Sequence, residues 1–343
     1  QQITERYGFR PQRADLFDQS PFWFSMLMER GAEAIQVPMP EDLGQEAIRR
    51  TLIASLKRLA PGFLKTVALF EPPAGPTGVG YQYLKDALMQ NNRVTNTELR
   101  SGRVPEDADL LVVVAPSLLD DKQVFAIDQF LMQGGTVFLA TSTRDVRVAA
   151  NFEVRAHQSG LQEWLAHHGL EVGVGLVMDP VNTAFPVPVE RYVGTVPVRE
   201  IKRLPYPLFP DLRGDQLSSD SLITAGMDQL TVNWISPVSS DNAPDSTRKS
   251  IVLLKSSPDS WISSDDSAIP DYEQFPDSGF AVAGERASRA LAVVVEGRFE
   301  SYFKDKASPL VATSSKTDQK TVESDPSGSD NTASRSPVVS SVI

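Results

Sequence analysis

Leu110-Leu111-Val112-Val113-Val114 is apolar at five consecutive positions, between Asp109 and Pro116. A strand with one face in water alternates apolar and polar residues. An unbroken β-branched run instead reads as a strand covered on both faces, the situation inside a parallel sheet. The flanking sequence agrees. Residues 63–70 read as a strand, 81–90 as a helix and 94–99 as a second strand. Residues 120–132 read as a helix with Val124, Ile127, Phe130 and Leu131 inward, stopped by Gly134-Gly135. Residues 136–140 follow as a strand, 158–168 as a helix closed by Gly169, and 170–178 as a further strand. Strands alternating with helices predict an α/β fold: a Rossmann-like, mostly parallel sheet.

The chain has 343 residues, room for about two domains of ~150 residues each. Residues 1–62 read as a segment packed on the core. It holds an apolar turn of helix at 22–28, a strand at 33–37, and a helix at 45–59 with Ile48, Leu52, Ile53, Leu56 and Leu59 on one face. Residues 63–180 form the Rossmann-like core. Residues 181–313 read as a proline-rich elaboration completing the same or an adjoining layer. Pro180, Pro186, Pro188, Pro197, Pro205, Pro207 and Pro210 argue against long central strands before 251–254, and 291–295 reads as another strand. Residues 314–343 are rich in Ser, Thr and Asp, a composition that supports no core.

Composition excludes whole classes of chemistry. Cysteine is absent, which removes disulfides, thiolate nucleophiles and cysteine-held metal sites. A net charge of -11 argues against wrapping a nucleic-acid backbone. No apolar run approaches the ~20 residues that span a bilayer. The start at Gln1-Gln2-Ile3-Thr4 and the end at Ser341-Val342-Ile343 read as those of a soluble piece cut from something longer.

Candidate chemistry is sparse. Gly75-Pro76-Thr77-Gly78-Val79-Gly80 lies between a strand and a helix, where an anion or small ligand could meet free amides. It has neither dinucleotide nor P-loop spacing, and Pro76 removes a donor, so a plain Pro/Gly loop is the competing reading. His157, His167 and His168 lack the i, i+4 spacing of a metal pair. Ser117 follows the central strand without a glycine-flanked elbow and reads as a helix cap or turn residue. Ser142 follows the next strand, beside the same sheet end. Asp120, Asp121 and Asp179 sit at strand and helix ends, as caps or as acid and base of a hydrolase. Residues 201–214 combine Arg203, Tyr206, Phe209 and Arg213 with Pro205, Pro207 and Pro210, either a rigid recognition surface or a stiff crossover. Trp234 reads as core and Trp261, among serines, as an exposed protein contact alongside Phe209.

Several strings carry a family resemblance: Tyr7-Gly8-Phe9-Arg10-Pro11, residues 56–67, residues 104–109, Met178-Asp179-Pro180, residues 209–214 and Ile223-Thr224-Ala225-Gly226. Asp128-Gln129-Phe130-Leu131-Met132-Gln133-Gly134-Gly135 is the most specific. Together they resemble the auxiliary component of ABC transport systems related to the gliding-motility protein GldG, including forms fused to ABC-2 type permeases. The resemblance implies a flavodoxin- or class I amidotransferase-like domain without catalytic residues. It further implies a place on the outer face of a bacterial inner membrane, with membrane anchors in flanking sequence. The implied partners are an ABC permease and a cytoplasmic ABC ATPase. The tract after Ser314 departs from the family and leaves the usual closing strand unseen.

The expected function is a non-catalytic extracytoplasmic binding or assembly module of an ABC transporter-like membrane complex, recognising a sugar or peptide. No cofactor and no metal are expected. Gly78, Gly80, Ser117, Ser142, Asp179, Arg203, Tyr206 and Arg213 are the candidate ligand-binding residues, and Phe209 and Trp261 the candidate protein contacts. A hydrolase of envelope carbohydrate or peptide and a purely structural scaffold are the alternatives.

Overall fold

Leu111 and Val113 lose all contact with solvent in the strand Leu110–Val114, as an apolar run covered on both faces requires. This computed structural model describes residues 25–30, 33–37, 44–59, 64–72, 80–193, 196–241, 248–311 and 339–342. The expectations for Phe22-Trp23-Phe24, for Gly78 and for the start of the Ser-rich tract lie outside the described residues. The chain divides into two units, Gln1–Val67 with Tyr81–Thr95, and Ala68–Gly80 with Asn96–Ile343.

In the first unit, β1 (Met26–Arg30) and β2 (Glu33–Val37) form an antiparallel hairpin, with Met26 opposite Val37. Residues 26–28 are therefore strand, not the expected helical turn, because pairing with β2 overrides local preference. Helix α1 (Gln45–Leu59) matches the sequence expectation. Its apolar face is only partly covered, since Ile53 and Leu56 remain 42% and 59% exposed. Helix α2 (Gln82–Met89) buries no side chain. Strands β3 (Thr66–Phe70) and β4 (Arg93–Asn96) are divided between the units.

The second unit carries β5 (Leu110–Val114), helix α3 (Asp121–Met132) and β6 (Thr136–Ala140). Asp120, not Ser117, caps α3. Its carboxylate accepts from Gln123 N at 2.9 Å, while Gln123 Oε1 accepts from Asp120 N at 3.1 Å, a reciprocal capping box. After β6 come β7 (Arg144–Arg147), β8 (Glu153–Ala156) and α4 (Gln162–His167). Residues 158–161 are not helical as expected. Backbone bonds from Leu118 N to Gln158 O and from Leu119 N to Ser159 O tie them to the loop before α3. The strand expected over 170–178 is two strands, β9 (Leu170–Val172) and β10 (Leu176–Met178), separated where Gly175 takes φ +104°.

β11 (Phe185–Val193) and β12 (Val196–Leu204) pair with each other in a two-stranded ribbon outside the main sheet, so these long strands are edges and not the central strands the prolines argue against. Their prolines are tolerated because a two-stranded ribbon leaves one edge of each strand unpaired. The remaining strands are β13 (Asp211–Arg213), β14 (Gln229–Thr231), β15 (Val238–Ser240), β16 (Arg248–Lys255), β17 (Trp261–Ser263), β18 (Ala290–Gly297) and β19 (Val339–Val342).

The main sheet runs β16-β18-β19-β6-β5-β3-β4. β5 and β6 pair in parallel from Leu110↔Thr136 to Val114↔Ala140, and β19 joins β6 in parallel. β16, β18 and β19 pair antiparallel. β19 thus supplies the closing strand that the sequence reading left unseen. Smaller antiparallel pairs complete a mixed α/β fold with one mostly parallel sheet, among them β10–β17, β13–β14 and β15–β9. Ala68, Leu111, Val113, Ile127, Leu131, Val137 and Leu139 form the centre of the core, with Trp164 and Leu165 of α4 against them.

Candidate functional site

Asp179 follows β10 and is fully buried. Its Oδ1 accepts from Val181 N at 2.9 Å and from Ser257 Oγ at 2.7 Å, and its Oδ2 accepts from Ser257 N at 2.7 Å. The carboxylate is thereby a brace between the 179–182 turn and the loop after β16. It is not an acid aimed at a substrate. Asn182 extends the brace by donating to the Asp179 carbonyl at 3.0 Å and accepting from Tyr206 N at 2.7 Å. Tyr206 is buried, and its hydroxyl donates to Ala268 O at 2.7 Å and accepts from Trp234 Nε1 at 3.3 Å. Burial pushes that phenol up to about 12. Phe185, Phe209 and Phe280 pack around its ring, with centroids 4.7–5.7 Å away.

This aromatic cluster backs a cleft of about 520 Å³. One wall comes from Pro180, Asn182, Pro205 and Pro207. The other comes from the loop after β17, through Gln274, Phe275, Pro276, Asp277, Val282 and Arg286. Trp261 and Phe280 contribute from beneath and are 2% and 5% exposed. Trp261 is thus not the exposed loop contact expected of it. It opens β17 opposite Met178, and strand pairing beside the aromatic cluster draws it inside. Its indole N–H is buried with no acceptor among the described residues. The exposed lining is Pro180, Pro205, Pro276, Val282, Gln274, Asp277 and Arg286.

The other sequence candidates lie elsewhere. Gly80 and Ser117 are exposed and take no part in the lining. Ser142 Oγ lies 2.8 Å from Ser236 Oγ, which donates to Gly175 O at 2.8 Å, and Thr143 Oγ1 donates to Gly173 O at 2.8 Å. These hydroxyls tie the end of β6 to the β9–β10 break. Arg213 holds Asp211 Oδ2 through Nε at 3.1 Å and Nη2 at 2.8 Å, and Gln229 donates to Asp211 Oδ1 at 2.7 Å. Arg203 is exposed on β12, in register with Pro186. Phe209 is half-buried in the aromatic cluster. Of the sequence candidates, Trp261 alone lines the cleft, while Asp179, Tyr206 and Phe209 take no part in the lining: Asp179 braces the turn that carries Pro180 and Asn182, and Tyr206 and Phe209 belong to the aromatic cluster. The wall over 274–286 was missed, although Phe275-Pro276-Asp277 repeats the aromatic–proline–acid pattern of Phe209-Pro210-Asp211.

His168 is buried against Trp164 and Phe299, with ring centroids at 4.5 and 5.4 Å. Desolvation first, then the neighbouring His167 and Arg248, holds it neutral with a pKa of about 3. Among the described residues no group of three or more His, Cys, Asp or Glu could hold a metal ion, and no helix is long and apolar enough to cross a membrane.

A protein-family model described as an ABC-type uncharacterized transport system, the auxiliary ABC transport component, matches residues 64–336. No curated protein matches the chain. Among solved structures, the chain is similar to a ThuA-like protein from Bacteroides uniformis ATCC 8492 at 11% identity, covering 67% of this chain and 76% of that one. The TM-score is 0.34, too slight a likeness to bear on function.

Proposed function

We propose, for a chain that belongs to the family of auxiliary components of ABC-type transport systems, that the proline-walled cleft is its recognition site for a sugar or peptide. The chain is a non-catalytic auxiliary component of such a system, and the family associates with ABC permease and ATPase subunits. In our reading the module faces the outside of the inner membrane, and the sheet with its helices is a Rossmann-like, flavodoxin-related layer that carries the cleft. Hydrolysis of ATP belongs to a separate cytoplasmic subunit.

The observation that carries the reading is the cleft itself. Its volume lies within the ~300–1,000 Å³ usual for ligand sites. Its wall at 180–182 is fixed by the buried Asp179–Ser257 and the half-buried Asn182–Tyr206 hydrogen bonds, so that wall is held in place before anything binds. The hydrolase alternative needs free acids, yet Asp120 caps α3 and Asp179 is fully engaged in bracing. The test is affinity purification of the full-length protein from its own membranes, with the wild type and a cleft-filling Val282→Trp variant. Permease and ATPase subunits are expected with both, and a retained sugar or peptide with the wild type alone. Failure of any ABC subunit to co-purify with the wild type overturns the reading.

A further inference from the structure

Resting on that cleft reading, we infer that the ligand is a cationic, apolar-flanked peptide segment, held by the acidic 264–286 loop against the Pro180–Pro205 wall. Three observations converge on this class. The first is which apolar surface is offered. Pro180, Pro205, Pro276 and Val282 are exposed in the lining, whereas Trp261 and Phe280 are 2% and 5% exposed. A sugar is held by stacking on an open aromatic face; neither of these two buried rings offers one, and the third ring of the lining, Phe275, is half-buried. Rigid prolines and a valine suit aliphatic side chains and the flat face of a proline, at little entropic cost.

The second is charge. Residues 264–286 carry six carboxylates, at Asp265, Asp266, Asp271, Glu273, Asp277 and Glu285, against the single cation Arg286. Asp266 faces Arg144 at 3.9 Å, and Arg286 is itself met by Asp259 at 4.0 Å. Asp277 lines the cleft with no hydrogen bond or ion pair among the described residues. Of the six, Asp277 alone is in the cleft lining, and the one cation of that lining, Arg286, is met by Asp259, so the unpaired charge the lining offers is negative, which draws in a cation and repels an anion.

The third is the Trp261 indole N–H, a buried donor on a cleft-lining residue with no acceptor among the described residues. Such a group costs free energy until something accepts from it, and a peptide carbonyl is the commonest acceptor a ligand can bring.

The experiment is calorimetric titration of the full chain with three probes: a capped tetrapeptide of sequence KPLK, its acidic counterpart EPLE, and a tetramer of N-acetylglucosamine. The expected result is binding of KPLK alone, weakening as salt is raised. Asp277→Asn should weaken KPLK by about fivefold, and Arg286→Gln should tighten it by a similar factor, because a like charge is removed. Opposite shifts from two exposed positions are not what a folding defect produces. Binding of EPLE or the saccharide as tightly as KPLK overturns the peptide class. So does no binding of KPLK, or indifference to both substitutions. If the saccharide binds and Val282→Trp abolishes it, the cleft reading survives without the inference. If KPLK binding survives Val282→Trp, the site itself is misplaced.

Discussion

Ser301 donates its hydroxyl to the Asp128 carboxylate at 2.5 Å, joining residues 173 positions apart in the chain. Asp128 lies on the inner face of α3 with no solvent exposure, and it also accepts from Trp164 Nε1 at 3.1 Å and Tyr302 N at 3.0 Å. One carboxylate thus fastens α4 and the loop after β18 to α3. Its value lies in satisfying donors that have no water to turn to.

Replacing Asp128 by Ala removes that acceptor and leaves the buried Trp164 indole N–H and Ser301 hydroxyl without it, along with the half-buried Tyr302 N–H. The expected loss is about 3–5 kcal/mol of unfolding free energy, measured by urea denaturation. Asp128→Asn keeps one carbonyl oxygen and should lose less. Equal losses from the two substitutions would assign the effect to shape, not to hydrogen bonding.

Acid sensitivity follows from the neighbour of that hub. His168 Nε2 is 3.9 Å from Asp128 Oδ1, its carbonyl accepts from Arg248 Nη1 at 2.7 Å, and its ring meets His167. The folded-state pKa of about 3 lies below the ordinary 6.5, so the unfolded chain takes up the proton first. His168 therefore contributes stability in full above pH 6.5, and that contribution falls away as pH drops towards about 3. In a His168→Phe variant the fall in denaturation midpoint over this window should be shallower than in the wild type. An unchanged slope would place the acid sensitivity elsewhere.

The parts of the fold legible in the sequence are those governed by local signals. The unbroken run Leu110–Val114 announced a strand covered on both faces, and Asp120 through Gly134 announced a capped helix with a glycine stop. What sequence could not show depends on distant partners. Residues 26–28 became strand through pairing with β2, and Trp261 went inside because it pairs opposite Met178. Asp179 had the look of a strand-end acid, and only Ser257, 78 positions away, reveals it as a brace. The cleft draws on segments near 180, 205, 261 and 280, none of which carries a recognisable motif alone.

Tyr206 provides the alkaline counterpart of His168. Its pKa of about 12 stands above the ordinary 10.0 because the phenolate would be buried. Between those values the unfolded chain releases a proton that the folded chain keeps, so stability is intact below pH 10 and declines towards about 12. Tyr206→Phe should remove that decline while lowering stability at neutral pH by about 1–3 kcal/mol, since the Ala268 carbonyl and the Trp234 N–H lose a partner. Thermal melts at neutral and alkaline pH compare the two proteins. A variant as stable as the wild type at neutral pH would show that these hydrogen bonds do not brace the back of the cleft.

Gly160 tests how tightly the loop before α4 is held against the loop before α3. Its φ is +85°, a conformation that costs an L-residue roughly 1–2 kcal/mol. A Cβ there would also lie 2.5 Å from Leu119 N and 2.6 Å from Leu119 O. Both atoms are backbone, so relief requires moving residue 119 and weakening the Leu119 N to Ser159 O bond. Gly226 offers the control, because it takes φ +82° with nothing within 4 Å of the added carbon. Gly226→Ala should cost only the conformational part, about 1–2 kcal/mol, and Gly160→Ala about 3 kcal/mol or more. Both follow from chemical denaturation of the single variants. Equal losses at the two positions would mean that residues 118–119 and 158–160 part easily, and the packing of these two loops would then contribute little to holding α4 in place.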